Sequence, residues 1–195
     1  MTKRTDIIGV VLAGGNSSRM GQDKALLRVG EETFIGRAAH LLQQVFNDVI
    51  ISANDRVVYD FIGLPVVEDV HKGCGPLAGL HATMASAGRN DIFVLSCDLP
   101  FVDVSVVERI LDNSSGAEVI VAGDPTGVQP LCGVYRQSSM RVIEGQLQVK
   151  EYSVLKLVRH MKGRVVVFEE EESKRFLNIN TPADYNSAVT LLKSP

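Results

Sequence analysis

The 195-residue sequence is poor in cysteine: Cys74, Cys97 and Cys132 are an odd number with no C-x-x-C pair, which argues against a disulfide framework and against a zinc ribbon. Its apolar runs are strand-sized and too short to cross a membrane as a helix. Near the start, the run from Ile7 to Ala13 is interrupted by Gly9 and followed by Gly14 and Gly15, so no signal-peptide core fits. The expectation is a cytoplasmic protein with reduced thiols. Charge of one sign is also lacking, with Lys+Arg 20 against Asp+Glu 23 and a net charge of −3. No long-range field draws in nucleic acid or an anionic membrane, and any anionic ligand must be met by a local patch. Several motifs are absent: His40, His71, His81 and His160 have no H-x-x-x-H or H-E-x-x-H spacing, there is no G-x-S-x-G elbow, and neither G-x-x-x-x-G-K-[ST] nor G-x-G-x-x-G occurs in the glycine-rich start.

What is present is an ordinary globular composition, 45% hydrophobic and 22% charged, at a length that suits one α/β domain. Continuous apolar runs predict buried strands at 7–13, 49–53, 64–67, 92–97, 118–122, 131–135 and 165–168. Helical spacing predicts helices from Phe34 to Phe46 with Thr33 as N-cap, from Leu77 to Ala87 behind Pro76, over 104–111 and 153–161, and after Pro182. Alternating strands and helices imply a parallel sheet covered on both faces, whose ligands sit at the carboxyl ends of the strands. No linker, repeat or low-complexity segment marks a boundary. Glu169 to Glu172 reads as a solvated turn.

Three features could carry chemistry. In Leu12-Ala-Gly-Gly-Asn-Ser-Ser-Arg-Met-Gly-Gln-Asp-Lys24, glycines let backbone N–H groups approach phosphate oxygens while Arg19 and Lys24 add two cations. The same stretch also reads as a glycine turn with surface charges. Asp98, at the end of a buried strand, can reach a Mg²⁺ shared with a ligand's phosphates, or can cap a helix. The loop from Asp69 to Pro76 offers glycines at a rim, or an ordinary turn. In Asn178-Ile-Asn-Thr-Pro182 two amides fall on one side if the chain is extended, and Thr181 can serve as N-cap of the last helix. His40, His81 and His160 are expected to pack or face solvent on helices, and Cys97 and Cys132 to be small core residues.

The stretch from Leu12 to Leu27 closely resembles the signature loop of the molybdenum cofactor guanylyltransferases, the MobA family of the nucleotidyltransferase superfamily. The resemblance continues in order through Ser52-Ala-Asn54, Val67-Glu-Asp69, Gly75-Pro-Leu-Ala-Gly79, Cys97-Asp-Leu-Pro100, Gln129-Pro-Leu131 and Asn178-Ile-Asn-Thr-Pro182. It thins between Ser138 and Glu172. It implies a single-domain, three-layer, Rossmann-like nucleotidyltransferase fold with a mainly parallel central sheet. It also implies a nucleotide half over about 1–100 and a pterin half over about 101–195. The implied reaction moves GMP from GTP to molybdopterin with Mg²⁺ as cofactor and pyrophosphate as leaving group, by positioning and charge stabilisation without a covalent intermediate.

By motif position, Arg19, Lys24 and Asp98 are the expected catalytic residues. GTP would meet Leu12, Ala13, Gly14, Gly15, Lys24, Asn54, Asp69, Gly79 and Asp98. The metal would sit on Asp98, with Asn180 near it or near the pterin phosphate. GTP and molybdopterin are the expected partners, with molybdoenzyme apoproteins or their chaperones beyond them, and the expected state is a monomer. Two other readings stay open: a cytidylyltransferase or another nucleotidyltransferase on the same sheet, and a non-catalytic nucleotide-binding accessory protein, against which the retention of Lys24 and Asp98 speaks.

Overall fold

The computed structural model describes residues 3–13 and 23–193; the expected ligands Gly14, Gly15 and Arg19 lie outside the described residues. Strand β1 (Ile7–Leu12) is followed by a hairpin of β2 (Arg28–Val29) and β3 (Glu32–Thr33), then by helix α1 (Phe34–Val45). Thr33 caps α1 as expected, its hydroxyl accepting from the Gly36 amide at 3.1 Å. Next come β4 (Val49–Ser52), the short helix α2 (Arg56–Tyr59), β5 (Val66–Val67), α3 (Pro76–Ala87) and β6 (Asp91–Ser96). The rest comprises α4 (Val104–Asp112), β7 (Val119–Asp124), β8 (Gly127–Tyr135), α5 (Met140–Gln148), α6 (Val154–His160), β9 (Arg164–Val167) and α7 (Pro182–Lys193). The sequence pattern had shown neither α2, which is shorter than one helical repeat of apolar residues, nor α5, in which only Ile143 is buried.

Seven strands form one sheet in the order β5-β4-β1-β6-β8-β7-β9. β1 runs parallel to both β4 and β6. The sheet is mainly parallel, as the resemblance implies, with β8 the exception, antiparallel to β6 and to β7. The cause is local. Asp124 Oδ1 accepts from the Thr126 and Gly127 amides at 2.9 and 3.1 Å, closing a tight hairpin where a parallel neighbour would need a crossover of about a dozen residues.

The period-two alternation of the strands divides the core. Ile7 and Val11 of β1 and Phe93 and Leu95 of β6 pack with α1 and α4 on one face, while Val10, Leu12, Ile92 and Val94 pack with α3, α5 and α6 on the other. Gly9 lets α1 come close, since a Cβ there would stand 3.0 Å from the Phe46 ring. Fully burying side chains such as Phe46 and Phe93, whose rings lie 5.4 Å apart, contributes about 2 kcal/mol each.

A third, smaller cluster joins Leu27, Val29 and Phe34 to Ile179 and Ala188, with Tyr185 packed edge-on to Phe34 and its hydroxyl donating to the Arg28 carbonyl at 2.7 Å. This docks the end of the chain on the β2–β3 hairpin. The acidic run is less solvated than expected: it opens a 3₁₀ turn over Glu170–Phe176 in which Glu172 pairs with Arg109 at 3.0 Å, while Glu169, Glu170 and Glu171 stay exposed.

Candidate active site

At the carboxyl ends of β1 and β4 lies a cavity of about 570 Å³, whose lining includes Leu12, Ala13, Asn54, Asp69 and Gly79 among the expected ligand residues, together with Asp23, Ser52 and Tyr59. Backbone bonds fix its floor. Ala13 N–H donates to the Ser52 carbonyl at 3.0 Å and Cys97 N–H to the Leu12 carbonyl at 3.1 Å. Gly79 admits space that no other residue would: a Cβ there would stand 2.5 Å from Ser52 Oγ, 3.0 Å from Leu12 Cδ2 and 3.6 Å from Asp69 Oδ1. Gly75, at φ 62, turns the chain into α3 with Pro76 at the first helical position.

Asn54 and Asp69 come from different loops and hold each other. The Asn54 amide donates to Asp69 Oδ2 at 2.8 Å, and the Asp69 backbone N–H donates to Asn54 Oδ1 at 3.2 Å. This fixes the amide orientation and leaves Asp69 Oδ1 toward Gly79 at the cavity wall.

Beside the cavity stands a second group of residues. Lys24 Nζ donates to Asn180 Oδ1 at 2.6 Å, and the Ile179 amide donates to the Asp98 carbonyl at 3.0 Å. Asp98 Oδ1 is shielded from solvent and has no hydrogen-bond partner. Burial pushes the Asp98 carboxyl above the usual range, against the lowering effect of Ser96, Lys24 and Asn178 nearby. The helix-cap reading of Asp98 is set aside by Asp103, whose side chain caps α4 by accepting from Val106 N–H at 3.1 Å. Thr181 does cap α7, its hydroxyl accepting from Asp184 N–H at 3.2 Å while Asp184 Oδ2 accepts from the Asn180 and Thr181 amides at 2.9 and 2.8 Å.

Among the described residues no three His, Cys, Asp or Glu side chains converge as a metal cage, and no histidine lines the cavity. A buried carboxylate oxygen without a partner suits instead a hard cation held by one protein carboxylate and by ligand phosphates. Cys97 and Cys132 are buried free thiols, as expected, and Cys74 is half-buried. His40 faces solvent with its Nδ1 2.9 Å from Glu32 Oε1, and His81 lies against His71 with ring centroids 4.8 Å apart. Sequence reasoning missed Tyr59; its only signal was Asp55, a helix-capping residue four positions before it.

A ligand cavity at the carboxyl ends of adjoining strands, glycine-bounded and flanked by a cation and a buried carboxylate, defines an α/β protein of the Rossmann-like, nucleotide-handling class. Residues 9–165 match the MobA-like NTP transferase domain, and the chain belongs to that family. A relative from Pelotomaculum thermopropionicum, named a probable molybdenum cofactor guanylyltransferase, is 38% identical over 194 residues, covering 95% of this chain and 93% of its own. Among solved structures, the fold is shared with molybdopterin-guanine dinucleotide biosynthesis protein A from Archaeoglobus fulgidus, at a TM-score of 0.80 and 22% identity over 97% of this chain and 100% of that one. It is shared too with Rv0371C from Mycobacterium tuberculosis, solved as a manganese complex, at a TM-score of 0.70 and 22% identity over 97% of this chain and 100% of that one.

Proposed function

We propose that the protein transfers GMP from GTP to molybdopterin, forming the guanine dinucleotide cofactor and releasing pyrophosphate. The observation that carries this reading is the adjacency of two sites: a cavity walled by the Asn54–Asp69 pair, and beside it Lys24 held by Asn180 near Asp98, whose Oδ1 has no partner. The relative from P. thermopropionicum, similar over almost its whole length, supports the same activity.

In this reading Leu12, Ala13 and Gly79 accept the base and Asn54 and Asp69 the nucleoside, with Gly14 and Gly15 toward the phosphates. Lys24, with Arg19, neutralises triphosphate charge. A terminal phosphate oxygen of the pterin attacks the α-phosphorus of GTP. One P–O bond forms there, and the bond to the bridging oxygen breaks with its electron pair leaving on pyrophosphate. No proton need move at an ionised phosphate, so no activated Ser, Cys or His is required. Asp98, with Asn180 beside it, would hold a divalent cation, Mg²⁺ in our reading, which supplies further charge neutralisation when bound. The chain's own part is preorganisation: two halves, about 1–100 for the nucleotide and about 101–195 for the pterin, meet where Asn180 reaches Lys24.

In this reading the protein acts as a monomer in the cytoplasm; separately, among the described residues no helix is long and apolar enough to cross a membrane. Calorimetric titration with GTP, CTP and ATP, each with and without Mg²⁺, followed by a transfer assay with molybdopterin, tests the reading. Selective Mg²⁺-assisted GTP binding and guanylyl transfer are expected. A preference for CTP would move the protein to the cytidylyl branch, and absence of nucleotide binding would overturn the proposal.

A further inference from the structure

Asp23 stands between the cavity and Lys24. It caps the 3₁₀ turn Lys24–Leu26, its Oδ1 accepting from the Ala25 amide at 3.0 Å. Its Oδ2 accepts from the Tyr59 hydroxyl at 2.5 Å, a contact between chain segments 36 residues apart. Tyr59 is 4% exposed, at the end of α2, and its ring belongs to the core cluster that also holds Cys97, the residue before Asp98. Burial, reinforced by Asp23, pushes the phenol far above its ordinary range, so the hydroxyl remains a donor at any working pH. Both carboxylate oxygens of Asp23 are therefore turned to donors of the protein.

We propose that Tyr59 is a positioning residue for Lys24: its hydroxyl braces the Asp23 carboxylate, which sets the turn that presents Lys24, and keeps Asp23 from competing for the ammonium or for a cation meant for the phosphates. The inference rests on the reading of Lys24 as a phosphate-facing residue. The brace matters because an unbraced carboxylate beside the site would draw the Lys24 ammonium away from the charge that develops as the bond to pyrophosphate breaks. A core-anchored aromatic ring is a suitable holder, since its hydroxyl moves only if the core beneath it moves.

Tyr59→Phe keeps the ring and removes the brace; Asp23→Asn leaves an oxygen for the Ala25 amide but loses the carboxylate. The expected result for Tyr59→Phe is a fall in kcat of about ten- to a hundredfold, the scale of a misplaced catalytic group, with the GTP dissociation constant changed less than about threefold. Asp23→Asn should cost less, because the cap to Ala25 remains and the competing charge is gone, and the double variant should be no worse than Tyr59→Phe alone. Wild-type kcat in Tyr59→Phe, a loss confined to GTP affinity, or multiplying losses in the double variant would each overturn the proposal. Amide exchange at Ala25 reads the brace without any catalysis: faster exchange in Tyr59→Phe supports it, and unchanged exchange overturns it. A wild-type protein that neither binds GTP nor transfers GMP would instead remove the function on which Lys24's role depends, while exchange would still report on the brace.

Discussion

Lys24 Nζ and Asn180 Oδ1 lie 2.6 Å apart across 156 residues of sequence, which ties the start of the nucleotide half to the entry of the last helix. The contact exists because Ile179 is fully buried against the β2–β3 hairpin and its amide is bonded to the Asp98 carbonyl, so Asn180 has little freedom to point elsewhere. Chain closure of this kind gives preorganisation: the ordering of a flexible Lys side chain is completed on folding rather than on binding.

Lys24→Ala should therefore lower kcat/KM by about 3 kcal/mol, the scale of one lost preorganised charge contact. Asn180→Ala should cost less, about 1.5 kcal/mol, because the charge remains and only its orientation is lost. Steady-state kinetics of GMP transfer for both variants would check the order; equal losses would give Asn180 a direct contact with the reacting groups.

Asp98 should hold function at the expense of stability. Its folded-state carboxyl is raised above the ordinary value of 3.8 by burial, so the unfolded chain releases its proton first as pH rises. The resulting penalty is absent below the ordinary value, grows between it and the raised one, and persists at neutrality. Asp98→Asn is expected to abolish metal-dependent turnover while raising Tm at pH 7, with the gain vanishing in acid. Thermal melts of both proteins across pH would show it, and a variant no more stable at pH 7 would count against the burial argument.

Gly79 leaves room at the cavity wall that a methyl group would take. Gly79→Ala places that group against the buried Ser52 and Leu12, whose side-chain ends must shift, so the fold should survive at a cost of about 1–3 kcal/mol. GTP affinity should fall about tenfold, as expected for overfilling a shaped pocket. Calorimetry separates the two effects, and wild-type affinity in this variant would place the ligand elsewhere.

The motifs that were legible in the sequence are those whose residues act close to where the chain itself turns. Thr33, Thr181 and the glycines around α3 announce local geometry, and the apolar runs of β1, β4 and β6 announce burial on both faces. Tyr59 was illegible because a four-residue helix has no periodicity and because its partner is 36 residues away. The antiparallel β8 was illegible for another reason: a strand buried on both faces reads the same in either direction, and only the Asp124 turn, a side chain bonded to its own backbone, decides which way the chain runs.

The cap of α7 offers a last test, because it links stability to the site. Asp184 Oδ2 accepts from both the Asn180 and Thr181 amides, and these bonds hold its carboxyl below the ordinary range. A depressed carboxyl stabilises the folded state above its unfolded-state value and loses that contribution as pH falls through the folded one. Asp184→Ala removes both bonds and should cost about 1 kcal/mol, the usual loss for a helix cap. It should also loosen Asn180 from Lys24 and lower kcat/KM, although Asp184 makes no contact of its own with the cavity. Chemical denaturation and steady-state kinetics on the same preparation check both. A stability loss with unchanged kcat/KM would show that Lys24 keeps its place without Asn180, and that the end of the chain is needed for the fold alone.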